Sequence, residues 1–462
     1  MTTIELSLAS PTFRELGPEA RDLLGVIAFF PQGINESNID WLFPSVSDRA
    51  NAFDKFCVLS LTYRSNGFIT MLAPLRDYLC PKDPMTSSLL CTTKERYFGR
   101  LLVNPSPNKP GFGETRWIIS EDVNVEHLLD VFTTVDASSS DVWGRCGHFL
   151  MHLQWHKPRL VALGPKIEGL PDGHPLKPLC LMKLSHLFSS LGNYVERKRL
   201  LIHALKLWRE RGDDLRAAQA LRHLSDANRM LCLYEEGEQQ AKEALEIYKQ
   251  HNDTSRQGKA LCHLARLWYG DKQFDAAEEV ALQAIDLLSD TDDQYRVCEC
   301  HHILGGIYCA KDEAEKAIDH FETALGIASS LSVWGGLFWI HYSLAELFSA
   351  QGKFDDAHAR IELAKSHAIN DPYSLGCAME LEARVWYQEG RFGDAKSEAL
   401  RAADVYEKLG ATMDLENCGA LLRNIDETMM GELITAGESD FDSESLEPVP
   451  FPTLIDPPSS VQ

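Results

Sequence analysis

The residues best suited to chemistry lie in two short histidine-bearing runs. In VCECHHILGGIYC, residues 297–309, five side chains are potential zinc ligands: Cys298, Cys300, His301, His302 and Cys309. Zinc needs three or four donors converging on one point, and structural sites usually space their cysteines as C-x2–4-C. Here the spacing is C-x-C, and on a helix Cys298 and His302 share a face while Cys300 and His301 point elsewhere. In the second run His148, His152 and His156 fall four residues apart and would share one helical face. Trp143, Leu150 and Trp155 around them describe a packing helix instead, which Pro158 limits. Neither run predicts a metal site. No Ser/His/Asp or Cys/His set has a context that argues for a nucleophile. G-x-x-x-x-G-K-[ST] is absent, and the glycine clusters GPKIEG (164–169) and GFGE (111–114) lack its hydroxyl. The sequence assigns no catalytic residue, no cofactor and no metal, and the expectation is a chain without enzymatic activity.

Composition narrows the alternatives. A chain of 462 residues that is 44% apolar is expected to fold into more than one structural unit. Its formal charge of -23 disfavours non-specific nucleic-acid binding and adhesion to anionic membranes, both of which require positive potential. Twelve scattered cysteines form no disulfide framework, and no stretch approaches the 18 apolar residues of a membrane span. The opening MTTIELSLASPTFREL lacks the basic flank and apolar core of a secretory signal. The expected location is the reducing cytoplasm, with a protein or peptide as partner and neither nucleic acid nor membrane.

What must position any site is a repeat. Tyr194, Tyr234, Phe274, Ala314 and Phe354 fall at one slot, forty residues apart, and Phe392 follows at thirty-eight. One helical pattern ends just before each and a second begins soon after. Short polar turns such as GDKQ (270–273) and AQGK (350–353) join the two. Each unit is a helical hairpin that cannot bury its apolar stripe alone. Ala277, Ala317, Ala357 and Ala395 lie three residues beyond that slot; Ala204, Ala244, Ala284, Ala324, Ala364 and Ala402 lie ten beyond it. The two offsets share a helical face, so these alanines and Gly305 mark where a neighbouring helix comes close. Large residues alternate with them: Leu224, Leu264, Leu304 and Leu344 in one slot, and Trp268, Tyr308, Phe348 and Trp386 four residues later. They are expected to form core.

Leu304-Gly305-Gly306-Ile307-Tyr308, followed across the turn by Ala317, Phe321 and Ala324, resembles the tetratricopeptide repeat. Six units over about 178–410 share the frame, and a capping helix is expected near 412–428. The fold class expected is mainly α, a superhelical solenoid of antiparallel helical hairpins. The resemblance implies that first-helix residues between the packing slots line an inner groove and bind a protein or peptide. Those are Arg222, Asp226 and Arg229 in repeat 2, and Lys259, Arg266 and Tyr269 in repeat 3. They continue with Glu299 and His302 in repeat 4, Trp339, Tyr342 and Glu346 in repeat 5, and Glu380, Arg384 and Tyr387 in repeat 6. Repeats 2 and 3 collect four cations there in an otherwise acidic chain, which suits an acidic or carboxylate-ended peptide.

Ahead of the repeats, LGPEARDLLGVIAFFPQGI (16–34) reads as a helix, with short helices after Asn35 and over 49–57. LSLTYRSNGFITML (59–72) then turns at Asn66-Gly67, a strong hairpin signal, before Pro74 restarts a helix. Three helices and a hairpin predict a winged-helix-like domain over 1–85. Residues 13–80 hold six Lys or Arg against eight Asp or Glu, too little positive charge for a DNA backbone. The run from LGPEARDLL through FFPQGI and DWLF to MLAPLRDYL is similar to the winged helix of NB-ARC (STAND) signal-transduction ATPases, the NOD-like proteins, fungal ones above all. That resemblance implies a regulatory or sensing arm packed against a nucleotide-binding module in cis or in trans. The family's Met-His-Asp signature falls at Met71-Leu72-Ala73, so its histidine and aspartate are missing. With no phosphate-binding motif, either the switch module has been lost or the chain is the carboxy-terminal piece of a longer one. The alternative is a free-standing tetratricopeptide adaptor of co-chaperone type. Residues 86–177 are expected as an irregular loop (86–118) and a helical linker. Residues 431–462, with seven acidic residues, five prolines and no basic one, are expected as a disordered tail.

Overall fold

The architecture comes from a computed structural model, which describes residues 3–438 apart from 17–18, 45, 47–48, 82, 104–111, 332–333, 369–370 and 410. Two short helices, α1 (Thr3–Leu8) and α2 (Pro11–Arg14), lead into α3 (Glu19–Phe29). Then come β1 (Ile34–Asn35), α4 (Ile39–Leu42), α5 (Arg49–Val58), β2 (Tyr63–Ser65), β3 (Phe68–Thr70) and α6 (Ala73–Leu79). The strands form one antiparallel sheet in the order β1-β3-β2, with Ile34 opposite Ile69 and Ser65 opposite Phe68. Asn66 and Gly67 both adopt positive φ (50° and 79°), which two-residue hairpins require. Leu23, Leu24, Ile27, Phe30, Phe43, Phe53, Phe56 and Ile69 fill the space between sheet and helices. A small open sheet packed on helices is consistent with the winged-helix-like domain expected from the sequence. The two cations of α5 are already engaged, Arg49 with Asp40 (2.5 Å) and Lys55 with Glu15 (3.5 Å).

Residues 86–118 are more ordered than their sequence suggested. Ser87 caps α7 (Ser88–Leu101) by accepting from the Leu90 amide, and Leu90, Tyr97, Phe98 and Leu101 bury one stripe of it. After it, α8 (Ile118–Val135) and α9 (Ser140–His156) pack together, α9 leans on the first repeat, and α10 (Leu163–Gly169) packs beside that repeat. Glu121 on α8, 0% exposed, accepts from Asn38 (2.5 Å), Tyr97 (2.9 Å) and Asn124 (3.0 Å), and Asn124 also donates to the Gly33 carbonyl. Three segments thus meet at one carboxylate, and a single apolar core runs from Phe13 to Ala260.

The solenoid follows as six hairpins. They are α11 (Lys177–Ser190) with α12 (Tyr194–Glu210), α13 (Asp214–Met230) with α14 (Tyr234–Gln250), and α15 (Thr254–Gly270) with α16 (Phe274–Leu288). The series continues with α17 (Gln294–Ala310) and α18 (Ala314–Leu331), α19 (Trp334–Ala350) and α20 (Phe354–His367), and α21 (Pro372–Gln388) and α22 (Phe392–Leu409). A last helix, α23 (Thr412–Glu438), covers the stack and runs past the position where the acidic tail was expected to begin; residues 439–462 lie outside the described ones. Every residue of the forty-residue slot opens a second helix. Two residues before it the chain is left-handed each time: Gly192, Cys232, Lys272, Asp312, Gly352 and Gly390. That conformation returns an amide to the carbonyl five residues back, as from Gln273 to Trp268 (2.8 Å) and Glu313 to Tyr308 (2.9 Å). The turn therefore repeats even where its sequence does not.

The small residues sit where helices touch. Ala277, Ala284, Leu304, Ala317, Phe321, Ala324, Leu344, Ala357, Ala395 and Ala402 are 0% exposed, and Ala364, Leu224, Leu264 and Tyr308 are buried as well. Trp268, Phe274, Phe348, Phe354, Trp386 and Phe392 are half-buried and pack against these cores. A Cβ at Gly305 would lie 2.5 Å from the Phe321 ring, and one at Gly306 would lie 2.8 Å from the Tyr269 hydroxyl. Both glycines thus have a packing partner, Gly305 within its hairpin and Gly306 from the preceding repeat. No helix among the described residues is long and apolar enough to cross a membrane.

Candidate binding channel

Curvature puts the first helices inside. From α13 to α23 each first helix touches the first helix of the next repeat, while among the described residues no neighbouring second helices come comparably close. Rods that converge along one side build a wall concave on that side. The winding also brings the ends together: Tyr194, opening α12, lies close enough to Asp414 on α23 for that carboxylate to help raise its pKa, after burial.

In the early repeats this inner wall carries an arginine network. Asp226 accepts from Arg197 (2.9 Å) and Arg229 (3.3 Å), with Arg266 at 3.9 Å. Glu299 accepts from Arg266 (2.5 Å) and from Arg296. Four guanidinium groups therefore share two carboxylates. Beside them Arg222, itself buried, donates to His263 Nε2 (2.5 Å) and His223 Nε2 (3.3 Å), so both imidazoles accept and are neutral. His186 stacks edge-on with His223 at 4.4 Å. Burial and the surrounding arginines drive His186, His223 and His263 well below the usual histidine range. The same arginines hold the Asp226 and Glu299 carboxyls below theirs, against burial.

The later repeats reverse the sign. Glu346 and Glu380 face one arginine, Arg384, which donates to the Tyr342 hydroxyl (2.7 Å) and to Glu346 (3.3 Å), and Asp414 lies near Glu380. Glu380 accepts from Tyr406 (3.0 Å), and Asp414 from Tyr373. Burial pushes all three carboxyls up. Glu346 nevertheless keeps 44% of its side chain in water. Solvent contact together with surrounding protein is what a concave wall produces.

The sequence-derived set is accordingly brought together but is mostly engaged. Arg222, Arg229, Arg266 and Arg384 bond as described, and Lys259 pairs with Asp293 (2.7 Å). His302 meets Ser343 (2.9 Å), Tyr387 meets Thr428 (2.9 Å), and Tyr269 fits against Gly306. Trp339 is the open member of the set, 39% exposed and 5.6 Å from the Tyr342 ring. Arg197, Arg296, Glu299, Asp414 and the three histidines complete the lining. His223 and His263 were detectable by their forty-residue spacing, and Arg197 by standing in an alanine slot.

Neither histidine run forms a metal centre. Cys298 points to the Ala324 carbonyl (3.3 Å), His301 to His320 (3.0 Å) and His302 to Ser343, while Cys300 faces Cys262. His152 bonds the Leu101 carbonyl (3.2 Å) and His156 the Thr115 hydroxyl (2.6 Å), and burial lowers both to about 4. Among the described residues no group of three or more His, Cys, Asp or Glu is placed to hold a metal ion.

Comparison with known proteins agrees with the repeat. The tetratricopeptide-repeat family model matches residues 296–370, which span α17 to α20. No curated protein matches the chain. Among solved structures, a Rap protein complexed with competence and sporulation factor is similar at 14% identity, over 69% of this chain and 97% of that one, with a TM-score of 0.47. A signal-transduction ATPase with numerous domains and a tetratricopeptide-repeat sensor, from Pyrococcus horikoshii, is similar at 15% identity (TM-score 0.45) over 93% of this chain and 66% of that one. Aspartyl phosphate phosphatase F from Bacillus subtilis is similar at 15% identity over 71% of this chain and 94% of that one, with a TM-score of 0.42.

Proposed function

We propose that this tetratricopeptide-like solenoid is a non-catalytic scaffold that takes a protein segment or peptide into its inner channel, with the early repeats receiving carboxylates. The observation that carries this reading is the sharing of Asp226 and Glu299 among Arg197, Arg229, Arg266 and Arg296. Positive charge is concentrated on one wall of a chain whose net charge is -23. Guanidinium groups already held by neighbours lose little freedom when a further carboxylate arrives, which favours binding. The arginines are preorganised rather than idle.

The test is retention of an acidic peptide pool by the whole chain and by Arg229→Glu/Arg266→Glu. Loss of about tenfold or more in affinity is expected, since each charge-assisted bond contributes about 1.5–3 kcal/mol. Unchanged affinity would end the reading.

An adaptor role fits these residues better than the arm of a nucleotide-driven switch. Where the NOD-like signature would place histidine and aspartate, Leu72 is 60% exposed and Ala73 opens α6, so neither offers a group to a nucleotide. The sensor-arm reading draws support from Tyr63, Leu72 and Tyr78, which leave the wing an apolar exposed surface. A phosphate-binding motif in frame ahead of Met1 in the gene would favour it.

A further inference from the structure

Two thiols stand in the wall of the early repeats where the packing of the hairpins does not call for sulfur. Cys300 occupies a slot that reads Ala220, Ala260, Cys300, Ile340 and Ala378, all buried. Alanine fills that slot in three other repeats, so a thiol there is additional to what stacking needs. Cys262 occupies a channel slot that reads Arg222, Cys262, His302, Tyr342 and Glu380.

Neighbouring helices bring the two sulfurs together. Cys262 on α15 and Cys300 on α17 lie on successive first helices in direct contact, and their thiols are within hydrogen-bonding reach of each other. Both are free thiols, and both residues are 0% exposed. The nearby Cys298 is turned away, toward the Ala324 carbonyl (3.3 Å). Cys262 Sγ lies 4.0 Å from Glu299 Oε2, and Glu299 accepts from Arg266 and Arg296. Arg266 and Glu299 keep 24% and 16% of their side chains in water. The thiol pair is thus separated from the channel by a movable ion pair rather than by apolar core. The Cys300 thiol, aided by Arg266 and Arg296, holds Cys262 below the usual cysteine range against burial and Glu299. Thiolate, not thiol, is the reactive form, and adjacent guanidinium groups favour it.

We propose that Cys262 and Cys300 form an oxidation site, which a hydroperoxide entering from the channel converts to a disulfide between repeats 3 and 4. The Cys262 thiolate attacks the outer peroxide oxygen and the O–O bond breaks. This leaves a sulfenic acid on Cys262, while the departing alkoxide takes up the proton the thiol had lost. Cys300 sulfur then attacks Cys262 sulfur, and the S–O bond breaks as the S–S bond forms. The hydroxide leaves with the Cys300 proton as water. Two thiols have together lost two electrons to one peroxide, which becomes an alcohol and water. Disulfide sulfurs stand about 2.05 Å apart, so thiols already facing each other need only side-chain rotation and a small approach of α15 to α17. The bond ties Arg266 to the start of α17, in the wall assigned above to carboxylates. Whether it forms does not depend on that assignment.

The test treats the whole purified chain, fully reduced, with hydrogen peroxide. Remaining thiols are alkylated and tryptic peptides are weighed by mass spectrometry. Cleavage after Lys259, Arg266, Arg296 and Lys311 releases 260–266, with Cys262, and 297–311, with Cys298, Cys300 and Cys309. The expected product is these two peptides joined with loss of two hydrogens, formed before other cysteines of the chain are oxidised and faster than in urea. Cys298→Ala should leave the cross-link intact. Cys300→Ala, which installs the residue of three other repeats, should abolish it and leave Cys262 as a sulfenic acid that dimedone captures. Urea melts show whether each variant remains folded. If one does not, fragmentation of the linked peptides from the unaltered chain decides, because it separates Cys300 from Cys298 and Cys309. A link through Cys298 or Cys309, a cross-link that survives Cys300→Ala, or oxidation spread evenly over the cysteines would overturn the proposal. Faster linking in urea than in the folded chain would overturn it as well.

Discussion

Two sets of positions on the same helices obey different rules. The packing slots repeat their residue types through the solenoid: leucine at 224, 264, 304 and 344, and alanine at 244, 284, 324, 364 and 402. The channel slots, interleaved one helical step away, change at every repeat and switch their charge excess halfway along. Both experience the same backbone and the same neighbouring helices. What repeats is therefore what the hairpins need in order to stack, and what varies is free to serve something the fold does not contain. The seam should govern stability, and the channel should govern binding.

The largest expected effect breaks the seam. Phe321→Ala empties a fully buried ring site against Gly305 and should cost about 3–5 kcal/mol, read as a lower urea midpoint. Asp226→Asn probes where the two sets overlap, because this channel carboxylate gathers Arg197, Arg229 and Arg266. Its loss should destabilise by about 1.5–3 kcal/mol in the same measurement. A cost near zero would mean that the network serves binding alone.

Acidification should weaken the solenoid. A histidine whose folded pKa is lowered takes up its proton more readily in the unfolded chain, so stability falls as pH drops below about 6.5. His302, His301 and His341 are brought down to about 4 chiefly by burial, and His186, His223 and His263 lie lower than usual for the same reason. Raised carboxyls such as Glu346, Glu380 and Asp414 act oppositely, but they are fewer. The melting temperature should decline from pH 7.5 to 5.5, and less steeply in His302→Gln. The smallest effect sharpens the contrast. Glu346→Gln, on a half-exposed channel residue, should change stability by no more than about 0.5 kcal/mol.

The repeated set was legible before any coordinates, because six units state the same requirement and one register satisfies them all. Phe274, Phe354 and Phe392 each open a helix where their spacing placed them. The channel was legible only in part. Its first-helix members followed from the repeat, but Arg197 reaches it from a second helix and Asp414 from the capping helix. Their partners lie across a superhelical turn that no local pattern encodes. Helix α7 was missed beside the proline-rich stretch at 104–110, although Ser87 and the spacing of Leu90, Tyr97 and Leu101 mark it. Glu121 could not be foreseen, since its partners come from residues 38, 97 and 124.

Hydrogen exchange of the whole chain, with and without the retained acidic peptides, tests most directly where binding occurs. Protection should rise in α13, α15, α17, α19 and α21, the inner helices, and stay unchanged in α14, α16, α18 and α20 behind them. Protection confined to the outer helices or to the wing, with the inner helices unaltered, would contradict the account.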